Sequence, residues 1–584
     1  MSLRGTPFFC KNLGFMRERN LGLAVVGALV ISMVSGCKKS ESPQSAQGST
    51  NSPPSVPAVI TNGALARIHW LGKKQLAADT NSVELMRLWA EPESAELEGQ
   101  TVDKLSTAPW RLWAANSTAS ATDSLASAQF PQAFLLKPLI YDLVQQEFYL
   151  ELGESTNKTP ELALAIKLDD EQDARWRTNL QLVHASLATA KDETNTLANL
   201  QFARVQGWTV VGSAGPENRF FSALTSKMEK EHSLAPGETN WLVADLDLGR
   251  FSRAFATGWH LPEDSPGLSV RLNGDGANVR TRGTLTFSHP LNNRLERWHI
   301  PTNLITAPLN SFTAVRGIAP MLRLLKPFSD LPGDIPDQIL VWGRPGPPDI
   351  FFSLPCTNAS VLFERFGSQL TELVTPFLGR DYGSVNRETN SAELHWDGLP
   401  HANPFLKAIT NGQNQYVFGG FVPFLSALAN PMPPELVNRL LGDTNLVCLD
   451  WEVTGDSVVH WRYLDDVYRI IFDRHGPRLT DTASLRWFDN NLTNLSVAIT
   501  EARLSSPTQL TFARKSTVGF TGLELDLLAN WLELPQFPAG LGTLLATNAA
   551  PLPKTKLRST KADGSAVTPT DPHAAETNTA GSGK

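Results

Sequence analysis

Cysteine is scarce in this chain. Of four, Cys10 and Cys37 lie near the N-terminus, and only Cys356 and Cys448 fall in the body. Both sit in apolar, strand-like surroundings, Phe351-Phe352-Ser353-Leu354-Pro355-Cys356 and Leu446-Val447-Cys448-Leu449, the setting of a buried small hydrophobe rather than a reactive thiol. An oxidising compartment allows a disulfide between them, though sequence does not supply the Cα separation. Long apolar runs are missing too. The longest, Leu21 to Val34, falls short of the ~20 residues of a membrane-spanning helix. Basic residues are scattered singly in a chain of net charge −7, so no electrostatic footprint for nucleic acid is legible. GxSxG, CxxC, HExxH and a GxGxxG following a strand are all absent from the body. That leaves chemistries whose groups lie far apart in sequence, such as the paired carboxylates of a glycosidase.

The N-terminus is more specific. Arg17 and Arg19 precede the apolar run, which ends in Val34-Ser35-Gly36-Cys37. A positive start, a short apolar centre and small residues before the cut make a secretory signal, and this one resembles the lipobox signal of bacterial lipoproteins. The resemblance implies cleavage before Cys37, which becomes the lipidated first residue of the mature protein. A diacylglycerol plus an N-acyl chain, at ~0.8 kcal/mol per buried methylene, anchors stably where a single chain binds only reversibly. Lys38 and Lys39 follow the cysteine with no aspartate at the second position, which in the enterobacterial sorting rule implies the outer membrane, facing the periplasm or the surface. Met16 is an alternative start, since residues 1–15 add little to such a signal. Loss of residues 1–36 removes four basic residues and one acidic, leaving a mature charge of −10.

Residues 37–62 follow as the lipidated cysteine and a Ser/Pro-rich tether, and residues 549–584 read as a disordered tail. Between them the expected fold class is α+β, with largely antiparallel sheets, packed helices and two globular domains. These span residues 63–330 and 331–548, divided where KPFSDLPGDIPD concentrates Pro, Gly and Asp. Alternating runs predict strands, among them Gln338 to Trp342, Asn445 to Val453 and Ser457 to Tyr463; helical spacing predicts helices over Asp170 to Ala188 and Ala359 to Leu378. Trp208-Thr-Val-Val-Gly before Phe220, Tyr416-Val-Phe-Gly-Gly before Phe424 and Ser516-Thr-Val-Gly-Phe before Leu525 share one grammar, an apolar strand then an apolar helix. They could mark degenerate hairpin-plus-helix repeats, but since no fixed period recurs, ordinary α+β grammar is the favoured reading. The layout over residues 160–330 resembles a group of large exported bacterial proteins of uncharacterised function, and brings no catalytic motif with it.

Fifteen tryptophans against six tyrosines could serve sugar stacking, but most fall in apolar strand runs where core packing explains them first. The segment Arg294 to Gly317 reads equally as a binding loop, because Trp298, His299, Asn303, Asn310, Phe312 and Arg316 give it an aromatic and amide-rich composition, or as a connection packed across the sheet with Pro and Asn making its turns. His395, Asp397 and His401 place two imidazoles and a carboxylate close together, as an open zinc site requires. Their spacing matches no established motif, and the expectation is no metal and no cofactor. Asp465 and Asp466 with Asp473 and His475, and Asp245 with Asp247, are weaker acid/base candidates better read as solvated faces. The expected function is therefore a lipid-anchored envelope protein, binding or scaffolding rather than catalytic, with the membrane and an envelope protein or glycan as partners and no nucleic acid. The alternative is a lipid-anchored hydrolase acting on glycan or peptide.

Overall fold

The computed structural model describes residues 63–117, 132–154, 160–188, 200–213, 218–230, 240–254, 261, 264–291, 295–323, 328, 335–378, 384–387, 393–397, 402–411, 413–422, 430–471 and 481–539. The expected signal with Cys37, the expected tether and the expected C-terminal tail lie outside them.

The first strand, β1 (Ala64–Trp70), is followed by the helices α1 (Lys73–Ala78), α2 (Val83–Trp89), α3 (Pro92–Ser117) and α4 (Ala133–Gln145), and then by β2 (Phe148–Glu154) and β3 (Pro160–Lys167). Helix α5 (Asp170–Ala188) begins where Asp169 accepts the Gln172 N–H at 2.8 Å and the Gln172 side chain accepts the Asp169 N–H at 3.1 Å, a reciprocal cap. The hairpin β4 (Gln201–Val205) to β5 (Trp208–Gly212) turns at Gln206 and Gly207, both at positive φ (49° and 86°), as a two-residue hairpin turn requires. Helix α6 (Arg219–Lys230), β6 (Leu242–Asp247), α7 (Leu248–Ala254), β7 (Gly267–Gly274) and β8 (Val279–Thr286) complete this half.

The second half repeats the plan. After β9 (Thr306–Ala307) come β10 (Ser311–Arg316), α8 (Ala319–Leu322), β11 (Gln338–Gly343), β12 (Ile350–Cys356) and α9 (Ala359–Leu378), the last started by Asn358 accepting the Val361 N–H at 3.1 Å. An extra hairpin, β13 (Ser384–Arg387) and β14 (Glu393–Asp397), precedes β15 (Phe405–Asn411) and β16 (Asn414–Gly420). Then follow β17 (Asn430–Pro431), α10 (Pro434–Gly442), β18 (Leu446–Val453), α11 (Thr454–Ile471), α12 (Ala483–Asn491), β19 (Val497–Ser506), β20 (Gln509–Ser516) and α13 (Gly522–Glu533).

Both halves use one set of antiparallel pairings. Strands 1–2–3 form a meander, strand 3 pairs with the second strand of a hairpin reached through a helix, a later strand returns to strand 1, and a closing hairpin extends that edge. β10, β11, β12, β15, β16, β18, β19 and β20 repeat these steps in order. The closing strands β8 and β20 pair antiparallel with each other, so the halves meet edge to edge in one 18-stranded sheet. The fold is thus α+β and topologically duplicated. Two of the three sequence patterns, at Trp208 and Tyr416, occupy the same place in each half, on β5 and β16; the third is on β20 and has no such equivalence. The Pro/Gly/Asp-rich segment near residues 325–337 connects β10 and β11, which are hydrogen-bonded neighbours, so the duplication divides instead after β8.

Helices cover both sheet faces. In the second half, α9 lies over Val315, Ile339, Leu354, Leu406 and Val417, while α10 lies over Phe312, Leu340, Trp342, Phe418 and Leu449 on the other side. Residues 457–463, expected as a strand, lie in α11. Val458 is fully buried there against Phe488, Leu495 and Leu525, and this packing outweighs the β-propensity of Val458-Val459. Cys356 and Cys448 are free thiols packed against the core under α9. Among the described residues no helix is long and apolar enough to cross a membrane.

Candidate functional site

A cleft of about 480 Å³ opens where β10 ends, β11 begins, β12 ends and the β15–β16 hairpin turns; Glu296, His299, Arg323, Asp337, Cys356 and Asn414 line it. Gly317, at φ 78°, turns the chain out of β10. Asp337 then accepts the N–H groups of Gly317 at 3.1 Å and Ala319 at 3.2 Å, which fixes the entry into α8. Gln338, 1% exposed, accepts the His299 N–H at 2.9 Å and donates to the Arg297 carbonyl at 2.5 Å. His299 is thereby held at the rim, its Nδ1 3.3 Å from Asn414 Oδ1. Gln415 accepts the Ala359 N–H at 2.8 Å, tying the hairpin to the start of α9.

Electrostatics make this a hydrogen-bonding site more than a reactive one. Burial pushes the Cys356 thiol up to about 11, against two main-chain hydrogen bonds acting the other way, so the sulfur is neutral at physiological pH and a poor nucleophile. Burial also raises Asp337 above the usual carboxylate range, with Glu296 adding to the effect and the two main-chain N–H groups opposing it. The volume falls within the range of small-ligand sites, while the lining is more polar than is usual for them.

Of the expected binding-loop residues, His299 reaches this cleft and the others do not line it. Trp298 is buried, and the Arg316 guanidinium stacks 4.7 Å from its ring centre. Arg316, 3% exposed, donates to the carbonyls of Leu446 (2.7 Å), Glu296 (2.6 Å), Thr444 (2.7 Å) and Asp443 (3.3 Å). Phe312 is fully buried under α10. Asn310 is buried with its Nδ2 3.4 Å from His460 Nε2, and Asn303 is exposed. The segment is largely a packed connection running into β10, because Trp298 and Phe312 are buried and Arg316 spends its donors on main-chain carbonyls inside the protein.

His395 lies on β14 with its Nε2 3.1 Å from Glu393 Oε1; Asp397 ends that strand, and His401 lies outside the described residues. Among those residues no group of three or more His, Cys, Asp or Glu side chains is placed to hold a metal ion. Asp465 and Asp466 ride on α11, and Asp247 accepts the Arg250 N–H at 3.0 Å at the start of α7. The members of the cleft that the sequence did not mark are Glu296, Asp337, Cys356 and Asn414. Glu296 and Asp337 lie in segments whose irregular composition was visible, whereas Cys356 and Asn414 sit at strand ends where no sequence signal points to a site.

Comparison with known proteins found no match, whether to protein-family models, curated proteins or solved structures.

Proposed function

We propose that this chain is a lipid-anchored cell-envelope protein that binds a polar envelope component, a glycan in the first instance, through the cleft around His299 and Asp337 without turning it over. The lipobox-like sequence at Cys37 supports the anchor, and the tether of residues 38–62 supports a globular part held off the membrane. One observation carries the binding reading: two of the cleft's potentially reactive groups, Cys356 and Asp337, are committed elsewhere. Cys356 is a neutral thiol, and Asp337 spends its two oxygens on the main chain at the start of α8. What faces a ligand is amide, imidazole and carboxyl hydrogen-bonding capacity.

A hydrolase reading draws on Glu296 and Asp337, two carboxyl groups lining one cleft in different environments, the arrangement acid/base catalysis uses. Co-sedimentation with purified peptidoglycan sacculi separates the two. The mature chain should pellet with sacculi and release no soluble fragments, and Gln413→Trp, at the exposed rim, should stay in the supernatant. Absence of pelleting contradicts the proposal; fragment release abolished by Asp337→Asn establishes the hydrolase.

A further inference from the structure

The joint between the two halves carries a second, separate surface. One row of cross-strand neighbours runs Tyr149, His69, Val243, Arg271, Arg282, Ala513, Glu501 across seven strands, and residues directly opposite one another share a face. At one end of the row α6 covers the sheet, with Lys227 over the Tyr149 ring at 3.9 Å; at the other, Arg439 of α10 donates to Glu501 at 2.9 Å. Between these helices the floor carries exposed side chains. Arg271, Arg280, Arg282, Ala513 and Lys515 are all exposed.

The charges on that floor are arranged against stability. Arg271 stands directly opposite Arg282, and Arg280 directly opposite Lys515, pairings that destabilise a sheet. Arg280 is matched by Asp275, which accepts from its Nε at 2.8 Å, and the nearest acid in the row, Glu501, is already held by Arg439 and Arg503. Arg271, Arg282 and Lys515 have no ion pair with any described residue. Three uncompensated cations thus lie together on an acidic chain of net charge −7. On the opposite face of β20, Arg514 is fully matched by Glu524 at 2.5 and 2.9 Å.

We propose that this trough binds a linear anionic polysaccharide, its carboxylate groups received by Arg271, Arg282 and Lys515. Guanidinium forks match carboxylates in two-point geometry. The neighbouring positions on the same face are Ser269, Asn273, Thr284 and Thr511, whose hydroxyl and amide groups suit sugar hydroxyls; Asp245, opposite Ser269, also lies on this face and bounds the cationic stretch on the β6 side. An acidic peptide fits less well, because the main-chain groups of these strands are spent on the sheet and offer an extended chain nothing to pair with. Nucleic acid fits less well still, since the described floor presents no exposed ring on which a base could stack.

Polygalacturonate is the probe, with dextran, poly-L-glutamate and single-stranded DNA as comparators, and titration calorimetry of the mature chain as the readout. The expected result is salt-sensitive binding to polygalacturonate, no binding to dextran, and at least a tenfold loss when Arg271→Ser, Arg282→Ser and Lys515→Ser are combined. Because that variant removes like-charge opposition, its melting temperature should equal or exceed that of the parent; the single change Lys515→Gln, expected to weaken binding in part, gives an independent check should the triple variant fold poorly. Failure of the parent to bind, unchanged affinity in the variants, or equal affinity for poly-L-glutamate or DNA would overturn the assignment. The cleft variant Gln413→Trp should leave polygalacturonate binding intact, which keeps the two surfaces separable.

Discussion

Glu452 accepts the main-chain N–H of Gly522 at 2.6 Å, joining β18 to the first residue of α13 across 70 residues of chain. Its other oxygen accepts the Ser457 hydroxyl at 2.6 Å, so one carboxyl group fastens α11 and α13 to the sheet. Burial, reinforced by Asp450 on the same strand face, pushes Glu452 up to about 8 from the usual 4.5, while Ser457, Gly522 and Arg514 pull the other way. Asp450 is raised as well, chiefly by burial.

A raised carboxyl pKa in the folded state means that folding retains a proton the unfolded chain gives up. The stability Glu452 confers is complete below about pH 4.5 and is lost as pH rises through about 8. Glu452→Gln can still accept from Gly522 and no longer titrates. Urea midpoints measured at about pH 5 and about pH 8 should therefore differ less in the variant than in the parent; equal differences would show that Glu452 is not held protonated.

Arg316 tests whether the segment before β10 is structural. Its guanidinium serves four carbonyls at once, a fork that a lysine ammonium cannot reproduce. Arg316→Lys should cost ~2–4 kcal/mol of unfolding free energy, because buried carbonyls lose their donors. A loss within ~0.5 kcal/mol, the range of ordinary surface substitutions, would return this arginine to the role of an exposed binding residue.

The fold was legible where local chemistry and tertiary packing agreed. Helices α5 and α9 matched their expected bounds because each combines a side-chain cap with a periodic apolar face. β10 was not legible as a strand: it is covered on both faces, Phe312, Ala314 and Arg316 share the face toward α10, and a buried arginine looks like a loop residue until its four carbonyl partners are assembled from residues 296 and 443–446. The basic trough was hidden for a similar reason. Arg280 and Arg282 alternate on one strand, but Lys515 joins them only through the β8–β20 pairing. Duplication was obscured by the extra hairpin β13–β14 and by unequal connections, which erase any fixed period.

Glu533, the last residue of α13, ties the early helix α3 to α12 and α13. It accepts from Ser484 N (3.0 Å), Ser484 Oγ (2.8 Å) and Gln100 Nε2 (2.7 Å), and Lys104 Nζ lies 3.6 Å away. Removing the carboxylate leaves buried donors unanswered, so Glu533→Ala should lower stability by ~2–3 kcal/mol. In the double change Glu533→Ala with Lys104→Met, part of that loss should return, because the partly buried ammonium is gone. Strict additivity of the two single changes would show that the pair is not coupled.

The central claim, a binding protein anchored by lipid at Cys37, is tested most directly by metabolic labelling with palmitate in a bacterial host that processes lipoproteins. The parent chain should incorporate label, migrate as the processed form and partition into detergent. Cys37→Ala should give an unlabelled, uncleaved precursor, because acylation precedes cleavage. Normal labelling and processing of the Cys37→Ala chain would contradict the anchor and the envelope assignment built on it.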